Sequence, residues 1–406
     1  MRTSPPAPSH AATAPSHARA WSAVFAMAVC TFALVASEFM PVSLLTPLAT
    51  DLQVSEGMAG HGIAISGAFA VATSLSLPLW AGGLDRKRVL LALTAAMALS
   101  GAIVGLAASY PAYLLGRALV GVAIGGFWSL SAATTMRLVP AAQVPRALAM
   151  LNGGNALATV LAAPLAAYLG TLLGWRGAFL CLVPVALIAF VWQWRALPPM
   201  QAQRRPRRGG ALQAFALLRR RHVAWGMAAS SVFFMGQFAL FTYVRPFLET
   251  VTQLQGPAIS GVLLVMGLAG FAGTLLVGLA LARGFYGTLI AIPLVMAAVA
   301  VALVAAGGWT AAVVALLGLW GLAGTAAPVG WWAWIAASFP HEAEAEAGGG
   351  LLVAVVQLAI ALGSALGGLL LDHSGHATLF LASAALLLLA AGLTRMAART
   401  APAPAA

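Results

Sequence analysis

One long apolar stretch, residues 114–138, carries a charged side chain well inside it. Arg117 lies near its start, in the run LLGRALVGVAIGGFW. A helix in the hydrocarbon of a bilayer keeps a guanidinium group only where a partner or a water-filled cavity is present. Gly121, Gly125 and Gly126 follow on the same helix, and small residues let a second helix approach closely. The stretch therefore predicts a membrane-spanning helix that borders a cavity.

Glu38 is the second candidate for chemistry, because it is the only acidic residue inside a predicted span. It precedes Pro41, and a proline in a helix leaves backbone groups without an intrahelical partner. We expect Glu38 and Arg117 to lie at similar depth and to approach each other. Burial raises the pKa of a carboxyl group in general and a neighbouring arginine lowers it, so movement of such a partner would switch a proton on and off. We therefore predict that Glu38 takes up and releases a proton and that Arg117 is the partner that controls it. In the alternative, Glu38 borders a water-filled vestibule and Arg117 donates to backbone carbonyls.

Asp85 and Arg86 begin a short charged run, DRKR, between two predicted spans. A carboxylate in such a loop is favoured beside the N-terminus of a neighbouring helix. We expect Asp85 and Arg86 to form a gate that closes the inner side of the protein. The alternative is ordinary loop chemistry on the cytoplasmic side, which the three basic residues of the run favour.

Aromatic and amide side chains inside the predicted spans supply a candidate substrate site. Aromatic rings stack on flat groups, and amides both donate and accept hydrogen bonds, so the set suits a flat, neutral ligand with polar edges. For each ring the alternative is core packing or a position at the membrane interface, whereas an unpaired amide inside a span is costly. The candidates are Phe127, Trp128, Asn152, Asn155, Phe234, Gln237, Phe241, Tyr243, Trp331, Trp332 and Gln357.

Metal, nucleotide and enzyme chemistry find little support in the sequence. Asp372, His373 and His376 are close together, but a zinc site needs three or four ligands and no further His or Cys lies near them. The phosphate-binding pattern GxxxxGK[ST] is absent, which excludes ATP-driven transport by this chain alone. No serine or cysteine nucleophile with a histidine partner emerges. We therefore predict no enzyme activity, no metal and no cofactor other than a proton gradient.

Composition places the elements that carry these residues in a membrane. Of 406 residues, 62% are hydrophobic and only 7% are charged, too few charges to cover a soluble protein of this length. At about 20 residues per crossing, about 12 spans occupy almost the whole chain. The predicted spans are residues 21–46, 59–81, 89–108, 112–136, 147–171, 178–196, 222–247, 258–282, 288–307, 310–337, 347–371 and 378–396.

Positive charge predicts the orientation of these spans. With the N-terminus inside, every Lys and Arg except Arg117, Arg176 and Arg245 falls on the inner side, which predicts two cytoplasmic termini. This distribution explains the net charge of +12 without a nucleic acid partner. The predicted organisation is a disordered cytoplasmic tail (1–20), a six-helix half (21–196), a basic cytoplasmic linker (197–221), a second six-helix half (222–397) and a cytoplasmic tail (398–406).

A weak internal repeat relates the two halves. Gly126-Phe127-Trp128 in the fourth span is matched by Gly330-Trp331-Trp332 in the tenth. Two related six-helix halves joined by a basic linker are typical of a transporter that rocks about a central site. A channel would not need this duplication.

The chain resembles the major facilitator superfamily over nearly its whole length. The resemblance rests on Asp85-Arg86 between spans two and three, on Arg117 in LLGRALVGVAIGG, and on the Gly-Trp-Arg-x-x-Phe run at residues 174–179. The runs EFMPVSLLTPLATDL, GGFWSLSAATTMRLVP, GQFALFTYVRP and PVGWWAWI are similar to those of the drug:proton antiporter branch, above all to bacterial exporters of purine ribonucleosides and their sugar-efflux relatives. Two departures are a missing glycine after Asp85-Arg86 and Ala163-Pro164 in place of Gly-Pro.

The resemblance implies an all-α integral membrane protein with the major-facilitator fold and 12 transmembrane helices in two pseudo-symmetric six-helix halves. It also implies a proton-coupled antiporter of the bacterial inner membrane that exports purine ribonucleosides, such as inosine or guanosine, by alternating access. Arg117 matches the motif arginine that the family uses in coupling. The expected partners are a purine nucleoside, a proton and the lipid bilayer, and the expected state is a monomer. Export of sugars or drugs by the same mechanism is the nearest alternative, and a passive channel is the alternative from another class.

Overall fold

The computed structural model describes residues 17–80, 83–200, 216–339 and 342–401, and every regular element in these ranges is a helix. Two short 3-10 helices cover Ala141–Gln143 and Leu217–Arg219. The α-helices are α1 (His17–Asp51), α2 (Glu56–Trp80), α3 (Arg86–Gly105), α4 (Tyr110–Leu138), α5 (Val144–Ala196), α6 (Arg221–Phe241), α7 (Val244–Thr250), α8 (Pro257–Arg283), α9 (Phe285–Ala306), α10 (Thr310–Ser338) and α11 (Glu342–Thr400).

Ten helical segments of the described chain are long and apolar enough to cross a membrane. Two of them contain a break, at Gly174 in α5 (φ 71°) and at Gly375 in α11 (φ 77°). A positive φ interrupts a helix and is available to glycine without strain. With 53 and 59 residues, α5 and α11 are each long enough for two crossings. Counting each as a pair agrees with the twelve predicted spans, and the predicted all-α membrane fold is confirmed.

The predicted span 222–247 is the one that the structure divides. α6 ends at Phe241 and α7 begins at Val244. Pro246 explains the interruption, because it has no N–H for the carbonyl of Thr242 and its ring crowds that carbonyl. The chain turns at Tyr243 (φ −111°, ψ 19°).

The ends of the chain differ slightly from the predicted organisation. α1 begins at His17, inside the predicted tail of residues 1–20, and α11 extends to Thr400. Residues 1–16, 201–215 and 402–406, which make up most of the predicted tails and linker, lie outside the described residues. The domain boundaries stay predictions.

Glycines bring the helix backbones of the first half close together. A Cβ atom at Gly125 of α4 would overlap with the carbonyl oxygen of Ala70 on α2. A Cβ atom at Gly154 of α5 would overlap in the same way with the carbonyl oxygen of Ala28 on α1. Small residues at such contacts are what allow membrane helices to pack closely.

The internal repeat corresponds to equivalent packing in the two halves. A Cβ atom at Gly126 of α4 would lie 2.6 Å from the side chain of Leu93 on α3. A Cβ atom at Gly330 of α10 would lie 2.7 Å from the side chain of Leu289 on α9. In each half the fourth helix therefore meets a leucine of the third helix at the repeated glycine.

Most of the contact between the two halves is made by two pairs of helices. α2 lies against α11, where a Cβ atom at Gly67 would be 2.8 Å from the carbonyl oxygen of Gln357. α5 lies against α8, where a Cβ atom at Gly267 would be 2.6 Å from the carbonyl oxygen of Val160. α1 of the first half also contacts α7 of the second. These contacts bring Glu38 to the boundary between the halves.

Candidate functional site

Arg117 is completely buried and donates four hydrogen bonds within the first half. Its Nη1 donates to the carbonyl oxygen of Ser37 at 2.7 Å, and its Nη2 donates to the carbonyl oxygen of Glu38 at 3.3 Å. Nη2 also donates to Ser66 Oγ at 3.1 Å, and Nε donates to the carbonyl oxygen of Gly62 at 3.2 Å. The guanidinium group therefore joins α4 to α1 and α2.

Pro41 explains why the carbonyl of Ser37 accepts from an arginine. In an α-helix this carbonyl accepts from the N–H of the residue four positions later, and that residue is a proline, which has no N–H. A buried carbonyl without a donor costs about 1–3 kcal/mol. The predicted proximity of Glu38 and Arg117 is confirmed, but the guanidinium group contacts the backbone of Glu38. The alternative, in which Arg117 donates to backbone carbonyls, describes its contacts.

The carboxylate of Glu38 meets the other half of the protein. Gln357 Nε2 on α11 donates to Glu38 Oε1 on α1 at 3.3 Å. The two residues are only 7% and 5% exposed. A buried carboxylate of one half is therefore hydrogen-bonded to an amide of the other. Sequence reasoning placed Gln357 in the substrate set and did not connect it with Glu38.

Three phenylalanine rings close the boundary beside Glu38. Phe39 on α1 stacks on Phe238 of α6, with ring centroids 5.9 Å apart, and meets Phe241 edge-on at 6.2 Å. Phe238 and Phe241 meet edge-on at 5.7 Å. Phe39 and Phe238 were not among the predicted site residues, although Phe39 directly follows the only acid of the spans. We call Phe39, Phe238 and Phe241 the phenylalanine cluster.

Several predicted substrate residues belong to the packed core. Phe127 and Trp331 are 1% and 3% exposed, and Trp331 packs edge-on against Trp334 with centroids 5.8 Å apart. Tyr243 is completely buried, and its hydroxyl donates to the carbonyl oxygen of Ser364 at 2.7 Å. Phe127, Trp331 and Tyr243 therefore pack in the core of this structure, and their part in substrate binding stays a prediction. Phe127 and Trp331 each precede a more accessible tryptophan, Trp128 and Trp332.

Phe234 is also buried, at 5% exposure, and packs edge-on against Phe233 with centroids 5.2 Å apart. Trp332 is 49% exposed, and Asn152 is exposed and donates to the carbonyl oxygen of Leu148 at 3.0 Å. The remaining predicted residues Trp128, Asn155 and Phe241 are half-buried.

Gln237 is held in place by a second proline effect. Its Nε2 donates at 3.4 Å to the carbonyl oxygen of Gly324, which lies four residues before Pro328 and so lacks an intrahelical donor. Its Oε1 is buried and has no hydrogen-bond partner among the described residues. A buried acceptor without a donor is costly, and a bound ligand with an N–H or O–H group would satisfy it.

Asp85 caps the helix that it precedes. Its Oδ1 accepts from the backbone N–H of Lys87 at 2.8 Å, which is N-cap geometry for α3. Its Oδ2 accepts from the backbone N–H of Met200 at 3.1 Å, and the N–H of Arg86 donates to the carbonyl of Met200 at 3.0 Å. Asp85 therefore lies at the N-terminus of α3, the helix that it precedes. Asp85 and the backbone of Arg86 fasten the loop to the chain that follows α5, and the inner gate stays a prediction.

The run at residues 174–179 fastens the ends of three helices of the first half, α1, α3 and α5. Arg176 forms an ion pair with Asp51 at the end of α1 and donates to the carbonyl oxygen of Ala107 at 2.7 and 3.1 Å. Trp175 Nε1 donates to Asp51 Oδ2 at 3.1 Å, and the guanidinium group lies 4.4 Å from the centre of the Trp175 ring system. All of these contacts stay within one half.

Asp372 makes hydrogen bonds to the first half. Its Oδ2 accepts from Ser55 Oγ at 2.6 Å and its Oδ1 accepts from the backbone N–H of Gly57 at 3.1 Å. In the part of the chain that the structure describes, no group of three or more His, Cys, Asp or Glu side chains has an arrangement that could hold a metal ion.

Known proteins with similar sequences point to one family. The sequence profile of the Major Facilitator Superfamily matches residues 27–349. The chain is 67% identical over 387 residues to the transcription regulatory protein OpdE of Pseudomonas aeruginosa, covering 95% of this chain and 96% of that protein. It is 38% identical over 371 residues to the purine ribonucleoside efflux pump NepI of Salmonella typhimurium, covering 91% of this chain and 92% of that pump.

Solved transporter structures share the fold. A bacterial homologue of the human lysosomal transporter Spinster, in an inward-facing and unoccupied conformation, matches with a TM-score of 0.77 and 15% identity, covering 96% of this chain and all (100%) of that one. A mutant of the nucleoside transporter NupG matches with a TM-score of 0.75 and 14% identity, covering 92% of this chain and 98% of that one. At these identities the similarity concerns the fold alone.

Proposed function

We propose that this chain, which belongs to the Major Facilitator Superfamily, is an antiporter that exports purine ribonucleosides in exchange for protons. The family and the structural neighbours are transporters, so the chain is a multi-pass membrane transporter and not an enzyme. In our proposal it works as a monomer in the bacterial inner membrane, with both termini in the cytoplasm and the proton gradient as its energy source. The halves rock about a central site and expose it to one side at a time.

The hydrogen bond between Glu38 and Gln357 is the observation that carries the proposal of proton coupling. A carboxylate inside a membrane protein is expensive unless it is paired or reaches water. Arg117 donates to four acceptors of its own half, and none of them is the carboxylate of Glu38. The side-chain partner of Glu38 is Gln357 of the other half, which moves relative to the first half in the proposed cycle. Opening the boundary removes that partner and admits water. In this proposal Glu38 therefore exchanges its proton when access changes.

The proposal of a purine ribonucleoside rests on amide and aromatic residues of the two halves and on a relative. The buried Oε1 of Gln237 offers an acceptor to a ligand N–H or O–H, and Phe241 on the same helix offers an aromatic ring. Trp128, Asn152 and Asn155 remain accessible or half-buried. The similarity to a purine ribonucleoside efflux pump extends over 91% of the chain. A flat base with polar edges fits this chemistry better than a sugar does.

The name of the Pseudomonas relative is compatible with export. An exporter lowers the internal concentration of its substrate, and this changes transcription wherever a separate regulator senses that substrate. Outside the predicted spans, the described residues form only extensions of the long helices, short helices and turns. In our proposal an effect of this chain on transcription would be indirect.

The test is uptake of labelled inosine into inside-out membrane vesicles, with and without an imposed gradient that is acid inside. Wild type is compared with Glu38→Gln and with the matched control Glu56→Gln. Glu56 is a half-buried carboxyl group that accepts from Thr46 within the first half at 3.1 Å. We expect gradient-driven uptake in wild type and in Glu56→Gln, loss of it in Glu38→Gln, and no competition from excess arabinose.

Three other results would change the proposal. Transport of a sugar or a dye without inosine uptake would retain the coupling and replace the substrate. Inosine flux that ignores the gradient would indicate a passive pathway and remove the antiport mechanism. Full gradient-driven uptake by Glu38→Gln would move the proton site to another residue.

A further inference from the structure

We propose that Arg245 is a positioning residue that holds the outer side of the transporter closed, by donating across the halves to a carbonyl that Pro47 leaves without a partner. The proposal rests on the transport function proposed above, because it concerns the closed state of one side. We call the contact between Arg245 and the carbonyl of Ser43 the outer latch.

The contact itself crosses the boundary between the halves. Arg245 Nη1 on α7 donates to the carbonyl oxygen of Ser43 on α1. Arg245 Nε donates to Glu249 Oε1 at 2.7 Å, one turn later on α7, and the two side chains are only 12% and 20% exposed. Glu249 of the same helix thus orients the guanidinium group, which donates its other hydrogen bond to the first half.

Pro47 supplies the reason for an arginine at this place. The carbonyl of Ser43 would accept from the N–H of residue 47, and proline has none. This is the arrangement that Arg117 makes with the carbonyl of Ser37 and Pro41. The two differ in one respect, since Arg117 belongs to the same half as its acceptor and Arg245 belongs to the opposite half.

The outer latch lies between the phenylalanine cluster and the outer surface. Ser43 is about two helical turns before the end of α1 at Asp51. Phe39 is about one turn deeper, where it contacts Phe238 and Phe241. A solute that enters from outside along α1 would meet the latch first and the rings next.

Asp372 provides a second contact of the same kind. Its carboxylate accepts from the Ser55 hydroxyl and the backbone N–H of Gly57 at the start of α2, where the helix dipole favours a negative charge. Again a charged side chain of the second half satisfies a backbone group of the first, here the N–H of Gly57. Opening the outer side must break both contacts, and Asp372 reinforces the latch at the rim.

Arg176 offers a matched control. It also lies on the outer side and also pairs with a carboxylate and a backbone carbonyl, but both partners, Asp51 and Ala107, belong to its own half. Loss of Arg176 therefore removes the same charge without touching the boundary between the halves.

The experiment measures how often the outer side opens. A membrane-impermeant maleimide is added to right-side-out vesicles, and the labelling rate of Phe241→Cys is normalised to that of Leu106→Cys. The background is Cys30→Ser with Cys181→Ser, because these are the two free cysteines. Leu106 is 72% exposed next to the end of α3 and reports access of the reagent. No substrate and no proton gradient are needed, so a wrong substrate leaves this test intact.

We expect the labelling rate of Phe241→Cys to rise about tenfold or more with Arg245→Gln, since a hydrogen bond to a charged group and a satisfied buried carbonyl are both lost. Arg176→Gln should leave the rate unchanged. Asp372→Asn should raise it by less. In a Pro47→Ala background, which returns an N–H to the carbonyl of Ser43, Arg245→Gln should raise the rate less than it does beside Pro47.

Three outcomes would overturn the latch. One is an unchanged rate in Arg245→Gln, and another is an equal increase in Arg176→Gln. The third is rapid labelling of Phe241→Cys in every variant, which would also indicate an open channel. If Arg245→Gln does not reach the membrane, Arg245→Lys and Asp372→Asn decide the question, because the lysine keeps the charge and loses the fixed geometry of the guanidinium group.

Discussion

Replacing Arg117 by methionine should destabilise the protein by an amount that depends on Pro41. The guanidinium group has four acceptors, and three of them keep another partner when it is removed. The carbonyls of Gly62 and Glu38 each have an N–H four residues later, and the Ser66 hydroxyl donates to the carbonyl of Ile63 at 2.9 Å. The carbonyl of Ser37 alone is left with no donor.

The magnitude follows from that one carbonyl. An unsatisfied buried carbonyl costs about 1–3 kcal/mol, while removal of a buried charge returns part of its desolvation energy. The single variant mixes these two effects, and a double-mutant cycle separates them. Pro41→Ala gives the Ser37 carbonyl an N–H, so Arg117→Met should be about 1–3 kcal/mol less destabilising in that background. Independent sites add within about 0.5 kcal/mol.

The assay is equilibrium unfolding of the four purified proteins in one detergent, followed by tryptophan fluorescence. A control cycle pairs Arg117→Met with Pro184→Ala, which changes a proline of α5 whose freed carbonyl belongs to Leu180. The control pair should be additive. A coupling energy below about 0.5 kcal/mol between Arg117 and Pro41 would refute the explanation of the buried arginine as a donor to the proline-freed carbonyl.

Three further predictions test packing and capping. Gly125→Ala places a methyl group against the carbonyl oxygen of Ala70 and should abolish the monodisperse peak in size-exclusion chromatography, whereas Gly153→Ala, with nothing within 4 Å of the new Cβ, should keep it. Trp331→Ala removes a ring that is 3% exposed and should lower the free energy of unfolding by about 3–5 kcal/mol; Trp332→Ala, at a ring that is 49% exposed, should lower it by less than half as much. Asp85→Ala removes the N-cap of α3 and should cost about 0.5–2 kcal/mol in the same measurement, with Asp85→Asn retaining part of the cap.

The membrane fold could be predicted because the length of an apolar segment is visible in the sequence without knowledge of its neighbours. Gly174 and Gly375 separate the paired spans at the places where the polar breaks were expected. The break before Val244 was not predicted. Pro246 marks it, because a proline disrupts the helical turn that precedes it. A span boundary drawn only from hydropathy passes over such a break.

Functional residues could be predicted where their type is rare inside a membrane span. They could not be predicted where the direction of a side chain decides its contacts. Glu38 and Arg117 stand out because charges inside spans are rare. The partner of Glu38 is on the other half, 319 residues along the chain, and no local pattern reports that contact. Phe127 and Trp128 are adjacent, yet one is core and the other is half-buried. Lipid tails are as apolar as a protein core, so the apolar face of a membrane helix does not identify which rings pack inward.

The prolines of the spans carry a signal that links these cases. Each one frees the carbonyl four residues earlier, and a buried free carbonyl needs a donor from outside its helix. Pro41, Pro47 and Pro328 free the carbonyls that accept from Arg117, Arg245 and Gln237. The effect of each pair depends on whether the donor and the acceptor belong to the same half. Arg117 and Gln237 donate within their own halves and make each half more rigid, whereas Arg245 donates across the boundary and ties the halves together. α1 carries one pair of each kind, so the helix that holds Glu38 is joined to its own half by Arg117 and to the other half by Arg245.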